Sequence, residues 1–249
     1  MLDEVEASAD EASKLKVRQL RNVVDEMSIA AGLPRPAVYV VPDDDPNAFA
    51  TGRGPGHASI AVTRGLLEAL DREELQGVVA HEMSHIRNLD VRLMTVVAAL
   101  AGAVALLADW ARRGMMWGGV SRRRDRDDRG GGVAGIVFFV VWLVAITIAP
   151  LMAQALAMMV SRRREYLADA SGAELTRNPI GLARALEKIE SAAAPTESIN
   201  RGTAHLCIAD PLGRTINLKE GFWSNLFASH PPMAARIAAL KAMGFQGRA

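Results

Sequence analysis

His81-Glu82-Met83-Ser84-His85 decides how this 249-residue chain is read, and the residues ahead of it set its conformation. Leu75, Val78 and Val79 recur at helical spacing. Asp71 stands where an N-cap belongs, and Glu74 follows three residues later as its capping-box partner. The quintet therefore lies about two turns inside a helix. Residues four apart on a helix stack on one face, so His81 and His85 offer two imidazoles to one point while Glu82 lies one step round. Two imidazoles and a carboxylate in H-E-x-x-H register are the core of a zinc peptidase site. The histidines ligate, and Glu82 is the candidate general base toward a zinc-activated water. Met83 and Ser84 are the free positions of the pattern.

A catalytic zinc takes a third protein ligand and keeps one position open. No histidine follows between Ile86 and Asp90, so the three-histidine extension of the motif is absent. Glu165, in Arg164-Glu165-Tyr166-Leu167-Ala168-Asp169, is the candidate third ligand. Asp169 lies one turn further along the same face, where it can accept the free N–H of an imidazole and fix its tautomer. One Zn2+ per chain is expected. The single Cys207 rules out an internal disulfide, and its apolar neighbours make it a core thiol rather than a nucleophile.

Composition bounds the rest. A net charge of +1 gives no reason to invoke nucleic acid. Half the residues are hydrophobic and the mean hydropathy is +0.10, an excess concentrated in two stretches. Leu93 to Ala108 carries no charge, and neither does Val133 to Val160. The second is ample for the roughly twenty residues of a spanning helix, and the first reaches that length by extending through Trp110. Both read as transmembrane helices, with Pro150 and Gln154 marking a kink or the point where the second leaves the hydrocarbon. The Arg- and Gly-rich loop 112–132 and the cluster Arg162-Arg163-Arg164 compete for the cytoplasmic side under the positive-inside rule.

No signal peptide is visible, since Met1 to Asp25 is charged and lacks an apolar centre. Val17, Leu20, Val24 and Met27 suit an amphipathic helix ending near Gly32. Ala37 to Val41 and His57 to Thr63 read as strands, joined by the Asp-, Pro- and Gly-rich segment 43–56. Within it, Asn47, Ala48 and Phe49 suit backbone pairing with an extended substrate peptide. A short helix from Arg64 to Leu70 leads into Asp71. The expected fold is mainly α (α+β), a helical metalloprotease core with a small antiparallel sheet and an inserted transmembrane hairpin. Its segments are 1–92, 93–160 and 161–249.

Asn47-Ala48-Phe49-Ala50-Thr51-Gly52, Ile60-Ala61-Val62-Thr63, Gly65-Leu66-Leu67, His81 to His85, Glu165 to Asp169, Ala204-His205-Leu206 and His230-Pro231-Pro232 with Arg236-Ile237 occur in order over nearly the whole chain. Together they resemble the HtpX-type membrane zinc metalloproteases, a gluzincin-like group distantly related to the CAAX prenyl proteases. The resemblance implies His81, His85 and Glu165 as zinc ligands and Glu82 as general base. It also implies His230 near the site as a donor to the tetrahedral oxyanion, with Arg236 orienting its neighbours. The implied activity is endoproteolysis of membrane or misfolded proteins at a bacterial inner membrane, from a site facing the cytoplasm, with self-cleavage as a further expectation. Rival readings are an inactive zinc-binding membrane scaffold and a prenyl-protein protease. Family members usually begin with two further apolar spans, whereas a charged helix alone precedes Ala37 here. A shortened form anchored by the internal hairpin is the expectation.

Overall fold

The computed structural model describes residues 11–117, 132–192, 207–208 and 231–246. His205, His230 and most of the Arg-rich loop lie outside these residues. The chain forms two compact units. Met1–Leu93 with Val160–Ala249 makes one, and Met94–Met159 makes the other.

The first unit opens with helix α1, Glu11–Ala31, whose Val17, Leu20, Val24 and Met27 are buried as their spacing predicts. It ends at Gly32, which adopts φ 66. Strands β1, Ala37–Val41, β2, Ala48–Gly52, and β3, Ala58–Thr63, follow, with a 3-10 turn over Pro55–His57. His57 therefore belongs to the turn and not to the strand. The strand order is β1-β3-β2, with β1 parallel and β2 antiparallel to β3. The sheet is thus mixed rather than antiparallel, because the segment expected to be a connection contributes a strand of its own.

Thr63 caps the short helix α2, Arg64–Ala69, through its side chain. Helix α3, Arg72–Arg87, then starts with the predicted box. The Asp71 side chain accepts from Glu74 N at 2.9 Å, and Glu74 Oε2 accepts from Asp71 N at 2.9 Å. Two otherwise orphaned amides are satisfied, a feature that contributes on the order of 1 kcal/mol. Leu75, Val78, Val79, Met83 and Ile86 of α3 are buried among α1, the sheet and the later helix Pro179–Ser191.

Helix α4 spans Asp90–Trp117 and helix α5 spans Gly132–Thr176, unbroken through Pro150. All of α4 beyond Leu93 and α5 as far as Met159 belong to the second unit. Two stretches, Asp90–Trp110 and Val140–Thr176, are long and apolar enough to cross a membrane. Leu100, Leu106, Leu107, Val137 and Val141 are each more than half exposed. A soluble protein does not expose apolar surface continuously along two helices, and lipid is the solvent that suits it.

The last part of α5 returns to the first unit. Helices α6, Pro179–Ser191, and α7, Met233–Gln246, complete it. Two glycines permit close helix approach. A Cβ on Gly77 of α3 would meet the Leu182 backbone at 2.8 Å, and one on Gly172 of α5 would meet His81 N at 3.1 Å. The second contact sets the segment bearing Glu165 and Asp169 directly against the helix bearing His81.

Candidate metal centre

His81 is fully buried at mid-helix in α3, and His85 stands one turn later with its side chain 15% exposed. Their rings meet edge to face with centroids 4.7 Å apart. Each ring has its Nδ1 turned to an aspartate. His81 Nδ1 lies 2.9 Å from Asp169 Oδ1, and His85 Nδ1 lies 2.7 Å from Asp90 Oδ2. A carboxylate at Nδ1 holds the proton there and leaves Nε2 as the bare nitrogen.

The two Nε2 atoms consequently face each other at 3.1 Å. Glu165 completes the cluster, one oxygen 3.6 Å from His81 Nε2 and the other 3.6 Å from His85 Nε2. Two inward lone pairs at that separation repel unless a proton or a metal ion lies between them. Tetrahedral zinc with bonds of about 2.0–2.1 Å sets neighbouring ligand atoms about 3.3 Å apart, in the middle of the spacings found here. Electrostatics point the same way. Burial opposes charge on His85, but the bond to Asp90 and the charges of Glu165, Glu82 and Asp90 hold its pKa up at about 9. The cage attracts positive charge, and the donor set fits zinc.

Glu82 is 1% exposed, and neither carboxylate oxygen has a hydrogen-bond partner among the described residues. Burial pushes its pKa up, with His81 and His85 partly opposing. A buried carboxylate without partners costs several kcal/mol unless a ligand or substrate group meets it, so its place beside the cluster marks a chemical role.

Arg236 of α7 is fully buried. Its Nε donates to Asp169 Oδ2 at 2.8 Å and its Nη2 to Asp169 Oδ1 at 2.7 Å. Nη1 donates to the Ile208 carbonyl at 3.0 Å and lies 3.1 Å from Glu165 Oε2. Burial works against its charge, but Asp169 and Glu165 raise its pKa above the ordinary arginine value. One guanidinium thus fixes both carboxylates that α5 sends to the cluster.

Two participants escaped the sequence reading. Asp90, at the start of α4, holds His85, and Arg164 pairs with Asp90 while donating to Asn88 O at 3.1 Å. The signals were adjacency alone, Arg164 beside Glu165 and Asp90 just past the motif helix.

The residues expected to pair with substrate are placed differently from one another. Asn47 is fully buried and tied to Thr63, its N–H donating to Thr63 Oγ1 at 2.8 Å and its carbonyl accepting from Thr63 N at 2.9 Å. Ala48 O accepts from Ile208 N at 2.9 Å, and Phe49 bridges to Cys207. The edge expected to be open here is taken by the chain's own Cys207-Ile208. Thr51, Gly52 and Ala58, with His85, Leu89 and Arg92, line a shallow cleft open to solvent.

A helical core that brings two histidines of an H-E-x-x-H helix against a glutamate, with a second buried glutamate beside them, defines a metallopeptidase. Residues 14–244 match peptidase family M48, and the chain belongs to that family. It is 50% identical over 225 residues to a "Protease HtpX homolog" of Thermoanaerobacter pseudethanolicus, covering 90% of this chain and 71% of the relative. A "Protease HtpX homolog" of Streptococcus gordonii is 44% identical over 235 residues, covering 94% and 76%. The crystal structure of S. mikatae Ste24p shares the fold, with a TM-score of 0.54 at 19% identity. It aligns with 87% of this chain, which spans about half (49%) of that protein. Family and apolar helices together make the chain a membrane metalloprotease.

Proposed function

We propose that the chain is a zinc-dependent endopeptidase cleaving membrane or misfolded polypeptides, with His81, His85 and Glu165 as the zinc ligands and Glu82 as general base. The observation that carries this reading is the pair of Nε2 atoms 3.1 Å apart with Glu165 across from both. A zinc ion held there supplies Lewis acidity to a water and to the peptide carbonyl. Glu82 takes a proton from the attacking water as its oxygen bonds to the carbonyl carbon. It then delivers that proton to the departing amine as the C–N bond breaks. The raised pKa of Glu82 suits both halves of that exchange. Asp169 and Asp90 keep the imidazole protons on Nδ1, and Arg236 holds Asp169 and Glu165 in place.

We assign the oxyanion donor to His230 on the family resemblance. The extended substrate lies along the cleft beside His85, and Asn47, Ala48 and Phe49 set the course of the strand whose Thr51 and Gly52 line it. The two apolar helices anchor the protein in a bacterial inner membrane with the site on the cytoplasmic side, where membrane proteins, misfolded segments and other copies of the chain itself are within reach.

The test is zinc stoichiometry together with casein and self-cleavage by the purified, detergent-solubilised chain. Glu82→Gln should keep one zinc and lose turnover by on the order of 100-fold or more. Glu165→Ala should lose both zinc and activity. Full turnover by Glu82→Gln, or full zinc occupancy in Glu165→Ala, refutes the assignment.

A further inference from the structure

We infer that Asp90, held by Arg164, is the positioning residue for His85, and that this pair governs how firmly the metal is retained. The inference rests on the zinc reading above. Its first support is the backbone. Were α3 simply to continue, residue 90 would lie five positions beyond His85, roughly 140° round the helix and out of reach of the ring. Instead α3 stops at Asn88, and Leu89 takes φ 57, a left-handed conformation that costs a non-glycine residue about 1 kcal/mol or more. That turn starts α4 with Asp90 brought back over His85. Strain is tolerated at the position that delivers the carboxylate to the imidazole.

The second support is Arg164. It precedes Glu165 on α5, pairs with Asp90 Oδ1 and donates to the carbonyl of Asn88, the residue that ends α3. One guanidinium therefore joins the end of the motif helix, the aspartate of His85 and the segment carrying the third ligand. The arrangement matches His81–Asp169–Arg236 link for link. The two differ in access. Arg236 is fully enclosed, whereas the Arg164 side chain is 20% exposed and His85 is the more open imidazole. The relay through Asp90 therefore holds the less enclosed of the two imidazoles.

The chemistry gives a sharp test. Asp90 meets both neighbours, with His85 Nδ1 against one oxygen and the Arg164 guanidinium ion-paired with the other. In Asp90→Asn, Arg164 claims the amide oxygen, and the amide NH2 is left to donate toward His85 Nδ1. The ring proton must then move to Nε2, where it blocks the metal. This nearly isosteric change should weaken zinc binding about 10–100-fold in a chelator-competition titration of the full chain in detergent. Adding Arg164→Ala frees the amide to turn its oxygen to His85. The double variant should bind zinc more tightly than Asp90→Asn alone. A merely structural role for Asp90 predicts the reverse, a further loss. Wild-type affinity in Asp90→Asn, or a weaker double variant, overturns the inference. A wild-type chain that binds no stoichiometric zinc overturns the zinc reading itself, a result distinct from wild type and Asp90→Asn each binding one zinc equally well.

Discussion

Replacing Arg236 by Met tests the inner frame of the cluster. The side chain is 0% exposed and similar in length to methionine, so the change removes charge and donors with little loss of volume. Three donor contacts vanish, two to Asp169 and one to Ile208 O, together with the ion pair to Glu165. Asp169, 2% exposed, is left as a buried anion facing only His81. Breaking a buried pair by removing one partner costs about 3–5 kcal/mol, mostly the desolvation of the charge left behind. For a folded unit of this size each kcal/mol moves the midpoint by about 2–4 °C, so a fall of roughly 6–20 °C is expected. Thermal melting of the detergent-solubilised chain by intrinsic fluorescence reads it. Adding Asp169→Asn removes the orphaned charge, so the double variant should melt higher than Arg236→Met alone. A single variant within 2 °C of wild type, or a double variant whose losses simply add, refutes the account of Arg236 as the counter-charge of Asp169.

The approach of α5 to α3 makes a second prediction. In Gly172→Ala the new Cβ falls 3.1 Å from His81 N, against backbone that yields little. The expected cost is about 1–3 kcal/mol of stability with a measurable loss of zinc affinity, whereas Gly102→Ala, with nothing within 4 Å, should change neither. Metal removal gives the third. Stripping zinc with a chelator should lower the melting midpoint by the linkage amount, about 2.7 kcal/mol at a free zinc concentration of 100 times Kd, and the shift should be absent in His85→Ala.

Much of this architecture is legible in the chain because its signals are local. The Asp71–Glu74 box, the stripe Val17, Leu20, Val24, Met27 and the strand Ala37–Val41 each follow from residues within a few positions of one another. The i,i+4 spacing of Glu165 and Asp169 puts both on one helix face, and the structure sets that face against the two histidines. The sheet was harder. The Pro- and Gly-rich composition of 43–56 reads as loop, yet Ala48–Gly52 is a strand because β3 offers it a partner, and strand pairing is a non-local event. Asp90 was passed over for a related reason. Helical periodicity loses meaning where the helix ends, and the residue that restores contact with His85 does so through a left-handed leucine, which sequence preference disfavours.

The charge inventory explains why these four carboxylates tolerate one another. Glu82, Glu165, Asp169 and Asp90 crowd two imidazoles, and the described residues supply two guanidiniums, Arg236 and Arg164, in direct contact with them. Four negative charges against two positive leave two uncompensated, in a space nearly closed to water. Without a counter-ion such a cluster must take up protons, as the raised pKa values of His85 and Glu82 express. A divalent cation at the Nε2 atoms would remove the deficit in one step. Arg236 and Arg164 hold Asp169 and Asp90, which face Nδ1 of His81 and of His85. Glu82, with no guanidinium bonded to it, remains basic enough to take a proton. The two arginines therefore divide the acids by contact, pairing with Asp169, Glu165 and Asp90 and leaving Glu82 without one, as the proposed general base requires.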